Sequence, residues 1–511
     1  MPQKLPFNVI SLPRARPDIK PQLDDESLLH DTSLLNGKWV KSQSGESFDV
    51  EGNWTDHRTR IPHPGSQQIF ASCPTNKVDD VDQYVTTSHA AFLEYRHMNP
   101  RQRAKLLLAW YELISKARTD IAKLVVYENG KPLAEALGEI DYAMGFAWWF
   151  AGEAERVRGS VAERRTFVIK QPIGVSVALV PWNFPVAMII RKVAAALAAG
   201  CSMIVKPSPE TPPSVLALAD LALRAGFPPG VFNIITTDNL NTPIVSEALC
   251  KHPLVRKVTF TGSTAVGRII ARHCSEGLKK VTMELGGNCP FIIFDDGDLD
   301  QAVAALMILK WRTAGQACTH ANRVYVQSGV FEEFARKIVQ ATQVLRIGHG
   351  SDPYTTIGPL TTARGIEKLE KHISDAVSKG GKVLCGGKRP EGDGYFYEPT
   401  IISNMASSML TTQEEIFGPL LGLKLRRKWS KQPMGLASYF FTKDVDRTWR
   451  LLESLEAGMI GMNTGNSSGA ESPFGGIKES GYGKEAGKDV AIEEYLIQKT
   501  GTLTIGSLPK L

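Results

Sequence analysis

Short apolar runs and helix-like stretches alternate along the chain from Gly174 onward. Strand-like runs lie at residues 175–180, 202–205, 231–235 and 257–260. Helix-like stretches lie between them at residues 186–200 and 214–225. Repeated units of this length predict a parallel sheet with right-handed crossovers. Ligands of such sheets bind at the carboxyl ends of the strands, so polar residues at those ends are the candidates for function.

A second alternating series follows, with strand-like runs at 290–294, 323–326, 382–384 and 459–462. It predicts a second α/β domain, so the expected fold has two doubly wound parallel-sheet domains. Before both series, apolar positions recur at helical spacing over residues 103–127, and this stripe stops at Asn129 and Gly130. Residues 1–31 mix prolines and charges without periodicity, and we expect a flexible arm there.

Composition is that of a globular protein. The chain has 511 residues, 43% of them hydrophobic, and its net charge of +6 is spread along the sequence. This distribution argues against a nucleic-acid or membrane partner. Seven widely spaced cysteines, an odd number, argue against a disulfide framework and a metal site and favour a reducing compartment. We expect a cytoplasmic protein; a mitochondrial location is the alternative, because basic residues predominate among the charges of the first twenty residues.

Two residues at the ends of predicted elements carry reactive groups. Cys318 follows Gly315 on a turn between the apolar helix 299–311 and a strand, where a thiol can face a cleft. Glu284 directly follows a strand and precedes two glycines, so its carboxylate can serve as a general base. Taken singly, Cys318 also fits a small buried side chain and Glu284 a surface contact.

A third candidate is Asn183, which lies between two prolines in Pro181-Trp182-Asn183-Phe184-Pro185. An amide N–H fixed in this way can stabilise an oxyanion, although the segment also fits an ordinary strand-to-helix turn.

Together these segments resemble the aldehyde dehydrogenase superfamily, in the order Asn183, Glu284, Cys318 and from about residue 35 to the C-terminus. The resemblance implies that the Cys318 thiolate attacks an aldehyde to form a thiohemiacetal. The Asn183 amide and the Cys318 backbone N–H would hold its oxyanion. After hydride transfer, Glu284 would activate the water that hydrolyses the thioester.

The same resemblance implies NAD or NADP as cofactor. The residues matching the family's cofactor site are Trp182, Lys206, Gly262, Ser263, Thr264, Gly267, Leu285, Glu415 and Phe417. Lys206 would bind the adenosine ribose, and the Gly262 segment would present a helix N-terminus to the pyrophosphate. NAD-preferring relatives usually carry glutamate three residues after the lysine, where this chain has Pro209. Loss of that carboxylate suggests that NADP is accepted, and even preferred.

Within the superfamily the chain most resembles succinate-semialdehyde dehydrogenases. Arg191 and Arg312 match the two arginines that those enzymes use for the distal carboxylate of the substrate, and Ser468 matches a third contact. Guanidinium groups suit this task because they bind carboxylates in a bidentate manner. The expected partner is therefore a carboxylate-bearing semialdehyde, in γ-aminobutyrate catabolism. Either arginine also fits an ordinary salt bridge, and another aldehyde or a non-enzymatic binding protein stays open as an alternative.

The family architecture implies a division of the chain into domains. The cofactor domain would comprise residues 32–155 and 172–285, and the catalytic domain residues 286–480. Residues 156–171 and 481–511 would form an oligomerisation element, giving a homodimer or homotetramer. Where animal members often carry a second cysteine, this chain has His320, so we expect no redox switch of that type.

Two stretches depart from the family pattern. Residues 53–61 look inserted. Residues 420–434 are shorter than the usual strand, acidic helix and turn. Loss of a helix there would expose sheet surface and could impair folding or activity.

Overall fold

The computed structural model describes residues 8–9, 21–50, 69–154, 165–425 and 432–503. Its strands are β1 (Asn8–Val9), β2 (Ser33–Leu35), β3 (Lys38–Val40), β4 (Ser47–Val50), β5 (Ala71–Pro74), β6 (Arg165–Pro172), β7 (Val175–Leu179), β8 (Ser202–Lys206), β9 (Phe232–Ile234), β10 (Val255–Thr261), β11 (Lys280–Glu284), β12 (Cys289–Ile293), β13 (Ala321–Val326), β14 (Arg346–Ile347), β15 (Lys382–Cys385), β16 (Thr400–Ser403), β17 (Leu420–Leu425), β18 (Met434–Gly435), β19 (Ala437–Phe441), β20 (Met459–Met462), β21 (Ile477–Lys478), β22 (Gly481–Tyr482) and β23 (Leu496–Leu503).

The helices are α1 (Val78–Tyr95), α2 (Pro100–Lys116), α3 (Arg118–Asn129), α4 (Leu133–Glu153), α5 (Pro185–Ala199), α6 (Pro212–Arg224), α7 (Thr242–Lys251), α8 (Thr264–Ser275), α9 (Leu299–Trp311), α10 (Phe331–Gln343), α11 (Ala363–Ser378), α12 (Leu410–Gln413), α13 (Val445–Ser454) and α14 (Lys488–Glu493). Three short 3-10 helices complete the set: η1 (Glu26–Leu28), η2 (Arg312–Gly315) and η3 (Ser328–Val330).

Two large sheets organise the molecule, which confirms the predicted fold class. The first has the order β22-β11-β10-β7-β8-β9-β2-β3, with parallel pairing from β11 to β9. The second has the order β15-β16-β17-β13-β12-β19-β20, with parallel pairing from β16 to β20. Antiparallel strands lie at the edges of both sheets. Lys206 and Glu284 end β8 and β11, and Asn183 follows β7, so these candidates lie at the carboxyl edge of the first sheet, as the strand-helix alternation predicts. Cys318 instead precedes β13 of the second sheet.

Helix α5 explains how the first sheet is covered. Every residue from Pro185 to Ala199 is buried, so the helix is enclosed by packing on all sides. Pro185 occupies the first turn, where its missing N–H leaves no broken hydrogen bond. The helix ends at Gly200, whose φ of 91° requires the left-handed backbone that glycine adopts without strain. Because α5 is fixed at both ends, Asn183, which precedes its N-cap Phe184, is held in place as well.

Strands β6 and β23 form a two-stranded antiparallel ribbon that is separate from both sheets. Their register runs from Leu496 opposite Pro172 to Leu503 opposite Arg165. The described strands of the two predicted oligomerisation segments therefore pair with each other. Residues 156–164 lie outside the described part of the chain.

Three sequence predictions are corrected. The helical stripe over residues 103–127 is two helices, α2 and α3, which join at Ala117 (φ −85°, ψ 8°). Residues 21–31 do not all form an arm: Leu28 is fully buried, and the backbone N–H groups of Asp24 and Asp25 donate to the Asp120 carboxylate. Strand β22, in the predicted oligomerisation element, instead pairs with β11 at the edge of the first sheet.

The shortened connection leads from β17 to β19 and has no helix among its described residues; residues 426–431 are outside them. A cavity of about 180 Å³ lies over β12, β13 and β19 here. The sheet is nevertheless largely covered, because Ile292 and Phe440 are fully buried against Leu451 of α13. The expected exposure of the sheet is therefore smaller than predicted, although this cavity remains and Leu425 at the end of β17 is exposed. The proposed insertion at 53–61 also lies outside the described residues.

A search of the described residues for a helix that is long and apolar enough to cross a membrane finds none. The same part of the chain contains no group of three His, Cys, Asp or Glu side chains able to hold a metal ion.

Candidate active site

Glu284 is the last residue of β11, so its side chain lies at the carboxyl edge of the first sheet. It is 2% exposed, and neither carboxylate oxygen has a hydrogen-bond partner among the described residues. Gly475 (φ 154°) packs against it, and a Cβ there would lie 2.7 Å from Oε1. Burial, followed by the charge of Glu485, holds the pKa of Glu284 well above its usual value. The protonated form of Glu284 is therefore favoured more strongly than in a carboxyl group exposed to solvent.

Cys318 follows a turn of unusual backbone conformation. Thr313, Ala314 and Gly315 all have positive φ, at 51°, 50° and 78°. For residues other than glycine this conformation costs roughly 1–2 kcal/mol each. The backbone N–H of Thr313 donates to Glu135 Oε2 at 2.6 Å, and this contact helps to hold the turn. Such local strain persists only where surrounding contacts fix it, which is typical of functional segments.

The Cys318 thiol is half-buried, whereas the other six cysteines are buried. Burial, followed by the charges of Glu415 and Glu284, raises the pKa of the thiol. A neutral thiol is therefore the resting form, and its activation requires a proton acceptor nearby.

Asn183 is joined to the segment that carries the thiol. Its side-chain Nδ2 donates to the backbone carbonyl oxygen of Gln316 at 3.0 Å, and its backbone carbonyl oxygen accepts from Lys131 Nζ at 3.0 Å. The side chain is 3% exposed. An amide nitrogen carries two hydrogens, so the bond to Gln316 leaves one for a further acceptor.

A cavity of about 300 Å³ brings most of the predicted residues together. Nine of the predicted catalytic and cofactor residues line it: Trp182, Asn183, Gly262, Ser263, Glu284, Leu285, Cys318, Glu415 and Phe417. Three predicted cofactor residues, Lys206, Thr264 and Gly267, are not among its lining residues. The catalytic trio, identified from separate segments, therefore surrounds one space.

Several lining residues were missed by the sequence analysis. Thr261 ends β10, and its buried hydroxyl has no hydrogen-bond partner among the described residues. Arg364 and Lys368 lie on α11 and add positive charge to the cavity wall. Helix α11 shows only the periodicity of an ordinary amphipathic helix, so no local signal marked these two residues.

The aromatic and acidic part of the cavity is preorganised. The rings of Trp182 and Phe417 meet edge to face with centroids 5.5 Å apart. The backbone N–H of Gly287 donates to Glu415 Oε1 at 3.1 Å. Burial raises the pKa of Glu415 to about 7 although this hydrogen bond lowers it.

The residues present fit a dinucleotide. Ser263 caps the N-terminus of α8, where backbone N–H groups and the helix dipole favour a phosphate. Lys368 and Arg364 face the same cavity, and Glu415 Oε2 offers an acceptor for ribose hydroxyls. Lys206 ends β8 and donates to Thr242 Oγ1 at 3.1 Å, farther along the same sheet edge.

An ion cluster that the sequence analysis also missed lies beneath Glu284. The Glu485 carboxylate is paired with Arg191 at 2.9 Å and with Lys192, and all three side chains are at most 4% exposed. Thr259 Oγ1 donates to Glu485 Oε1 at 2.7 Å. Burial alone would raise the pKa of Glu485, but Lys192 and Arg191 together hold it below its usual value. Glu485 therefore stays ionised, and its negative charge raises the pKa of Glu284.

The three predicted substrate residues lie outside the cavity. Arg191 is buried, paired with Glu485 and stacked 4.0 Å from the centre of the Phe474 ring. Arg312 is exposed, with its guanidinium 5.3 Å from the centre of the Phe184 ring. Ser468 accepts a hydrogen bond from Tyr142 Oη at 3.2 Å. Of the two arginines, only Arg312 is exposed.

Two further residues adjoin the nucleophile. Cys289 Sγ donates to the Cys318 carbonyl at 3.4 Å. His320 is fully buried, and burial holds its pKa well below the usual value, so the ring is neutral.

The chain is similar to known proteins of one family over most of its length. The sequence profile of the aldehyde dehydrogenase family matches residues 53–500. An NADP(+) succinate-semialdehyde dehydrogenase of Escherichia coli is 44% identical over 487 residues, covering 93% of this chain and 98% of that protein. A 3-sulfolactaldehyde dehydrogenase of Pseudomonas putida is 44% identical, with coverage of 93% and 97%. The crystal structure of an NADP-dependent enzyme of E. coli superposes with a TM-score of 0.90 at 43% identity, covering 95% of this chain and 100% of its own.

Proposed function

The chain belongs to the aldehyde dehydrogenase family and is an NAD(P)-dependent enzyme, and from this premise we propose that it oxidises succinate semialdehyde to succinate. The observation that carries the proposal is the convergence of Cys318, Glu284 and Asn183 on one cavity that also offers dinucleotide-binding groups. Relatives of this length and identity act on acidic aldehydes, which supports the same substrate class here.

The first step uses the thiol. The carboxylate of ionised Glu284 is the candidate acceptor for the proton of Cys318, and the sulfur then attacks the aldehyde carbon. The carbonyl oxygen becomes an oxyanion, for which the free N–H of Asn183 and the backbone N–H of Cys318 are the donors. Removing one donor of this kind typically slows a reaction by about 10²–10³-fold.

The nicotinamide, when bound, supplies the hydride acceptor that converts the thiohemiacetal into a thioester. The helix N-terminus at Ser263 and the cations of α11 would bind the pyrophosphate. Glu415 would accept from the nicotinamide ribose, and Phe417 with Trp182 would limit the movement of the ring.

The last step requires a base. Glu284 first releases to solvent the proton that it took from Cys318. Its carboxylate then takes a proton from water, the resulting hydroxide adds to the thioester carbonyl, and the Cys318 thiolate leaves. The product acid gives its proton to the thiolate, which restores the thiol. Ionisation of Glu284 is favoured by Arg191, Lys192 and Lys484 and opposed by burial and Glu485. These groups position and tune the base without contacting the substrate.

Substrate selection is the finer part of the proposal. We assign the distal carboxylate to Arg312, because its guanidinium is exposed and lies beside Phe184, next to Asn183. Arg191 already neutralises Glu485, and we therefore assign it a positioning role. The alternative substrate is another acidic aldehyde, such as one carrying a sulfonate.

A panel of aldehydes with purified protein tests this assignment. Arg312→Ala is expected to lower kcat/KM for succinate semialdehyde by about tenfold to hundredfold, the equivalent of one charge-assisted contact. Propanal, which has no carboxylate, should be oxidised as before. Arg336→Ala, at an exposed position of α10, is the matched control and should change neither value. Equal losses on both aldehydes, or no loss, would remove Arg312 from substrate recognition.

The quaternary structure and compartment are also proposals. The β6–β23 ribbon presents Val168, Ile169 and Ile497, which are each more than one-third exposed, and exposed apolar strands of this kind favour a homodimer or homotetramer. Light scattering of the purified chain measures the mass directly. Six of the seven cysteines are buried and widely spaced along the chain, which is consistent with a reducing compartment such as the cytoplasm.

A further inference from the structure

The carboxyl edge of the first sheet continues beyond the catalytic cavity. Trp182 lines the cavity, and the backbone N–H of Val180, two residues earlier, donates to the carbonyl oxygen of Lys206 at 3.3 Å. The ends of β7 and β8 are therefore neighbours. A dinucleotide with its nicotinamide in the cavity would lay its adenosine half along this edge, over Lys206.

A carboxylate is fixed beside Lys206. Glu210, four residues later, accepts hydrogen bonds from the hydroxyl of Ser208 and from Asn239 Nδ2, the latter at 3.4 Å. Ser208 follows β8 and Asn239 follows β9, so the two donors come from adjacent strand ends. The carboxylate is thereby held on the rim of the sheet rather than free in solvent.

The backbone of this rim is also restricted. Pro207, Pro209 and Pro212 fix three φ angles within six residues. Pro209 is buried, whereas Glu210 is partly exposed. Pro209 thus provides no carboxylate, whereas the side chain of the next residue, Glu210, lies at the rim.

The charges at this place do not favour an additional phosphate. Lys206 is 4% exposed, and its pKa is lowered to about 8 by burial although Glu210 and Asp238 both raise it. One cation is thus faced by two carboxylates. A ribose 2′-hydroxyl can donate to such a carboxylate, whereas a 2′-phosphate is repelled by it.

We propose that Glu210 selects the 2′-hydroxyl of the adenosine ribose, so that this enzyme prefers NAD to NADP. The inference rests on the proposed dinucleotide function of Lys206 and the cavity. It reverses the expectation drawn from Pro209: the carboxylate absent from that position is supplied by the following residue. It also distinguishes this chain from its relatives named for NADP.

The test measures cofactor preference in two ways. First, the reduced dinucleotides are titrated by fluorescence without any aldehyde, which gives the Kd of NADH and of NADPH. Second, kcat/KM is measured for NAD and NADP with succinate semialdehyde. The wild type is expected to favour the dinucleotide without the 2′-phosphate by tenfold or more, a difference of about 1.4 kcal/mol. Glu210→Gln should reduce that preference by about tenfold, through NADP affinity and not through kcat.

Matched variants separate charge from packing. Glu210→Asp keeps the charge and should retain most of the NAD preference. Ser208→Ala removes a holding contact and should weaken the preference by less than Glu210→Gln does. Glu333→Gln, at an exposed position of α10, should leave the cofactor preference unchanged.

Three outcomes would overturn the inference: a wild type that binds NADPH as tightly as NADH, an unchanged ratio in Glu210→Gln, or binding of neither dinucleotide. Tight, selective NADH binding without oxidation of succinate semialdehyde would instead contradict only the proposed substrate, because the titration contains no aldehyde.

Discussion

The two sides of the catalytic cavity are built by different means. The glutamate wall consists of Glu284 and the buried ions Glu485, Arg191 and Lys192 beneath it. The cysteine wall consists of residues 312–318 and Asn183, held by hydrogen bonds and by a turn with three successive positive φ angles. One wall is organised by charge and the other by backbone shape.

This difference assigns a separate task to each wall. On the glutamate wall, two cations face one ionised carboxylate, so ionisation of Glu284 would complete the charge balance, while burial and Glu485 resist it. These opposing effects on the glutamate wall therefore set the pKa of Glu284. On the cysteine wall the hydrogen bonds and the turn set the position of the sulfur. We therefore expect charge substitutions to alter pH dependence and shape substitutions to alter rate.

The largest expected effect comes from the nucleophile itself. Cys318→Ser should reduce NAD(P)H formation by about 10⁴-fold or more, because a serine hydroxyl is far less ionised than a thiol at this site. Cys385→Ser, at the end of β15 and not among the residues that line the cavity, should keep near-normal activity. The measurement is steady-state absorbance of the reduced cofactor. Substantial turnover by Cys318→Ser would disqualify the cysteine wall as the source of the nucleophile.

Loss of the base should have the next largest effect, and it should differ in kind. Glu284→Gln keeps the shape of the glutamate wall but removes its ionisable oxygen, and turnover should fall by about 10²–10⁴-fold. Because the base acts both on the thiol and in thioester hydrolysis, stopped-flow traces should show slowed formation of up to one equivalent of reduced cofactor per site, followed by still slower turnover. Glu453→Gln, at an exposed position of α13, serves as the control. A variant that hydrolyses its thioester normally would exclude Glu284 as the base.

A shape substitution probes the cysteine wall. A Cβ on Gly287 would overlap the Cys318 carbonyl oxygen, so Gly287→Ala should displace the sulfur and lower kcat by about 10²-fold. Its pH profile should keep the position of the wild-type acid limb. Gly152→Ala on α4, where a Cβ meets nothing within 4 Å, should be tolerated. If Gly287→Ala shifted the pH profile without lowering kcat, the division of tasks between the walls would be wrong.

The smallest expected change in rate comes from the ion cluster. Glu485→Gln removes the charge that raises the pKa of Glu284 and leaves Arg191 and Lys192 to lower it further. Activity requires ionised Glu284 and disappears as pH falls through its raised pKa, so in the variant the acid limb of kcat should move to lower pH. At neutral pH the rate should change only several-fold. An acid limb that does not move would show that the cluster does not tune the base.

Much of the fold could be predicted from the sequence, because strand and helix signals are local. The apolar stretch at 299–311 coincides with α9, and the run at 459–462 coincides with β20. The break at Ala117 was missed, since α2 and α3 share one apolar stripe and no proline or glycine marks the junction. The packing of residues 21–31 was also missed, because short segments without periodicity are fixed only by distant partners such as Asp120.

The candidate site shows the same division. Asn183, Glu284 and Cys318 were identifiable from the types of their neighbours and from their order along the chain. Lys192 and Glu485 were not, because a buried ion pair between residues 293 positions apart leaves no local pattern.

The sequence by itself determined the alternation of strands and helices, the placement of reactive residues at strand ends, and the glycines that give them room. These features depend on side-chain periodicity and backbone permissiveness, which act over a few residues. Only the tertiary structure decided that Arg191 pairs with Glu485 while Arg312 stays exposed, and that Glu210 is held beside Lys206. Pairing and burial depend on which distant segments meet, and burial sets the electrostatic energy of every charge at the site.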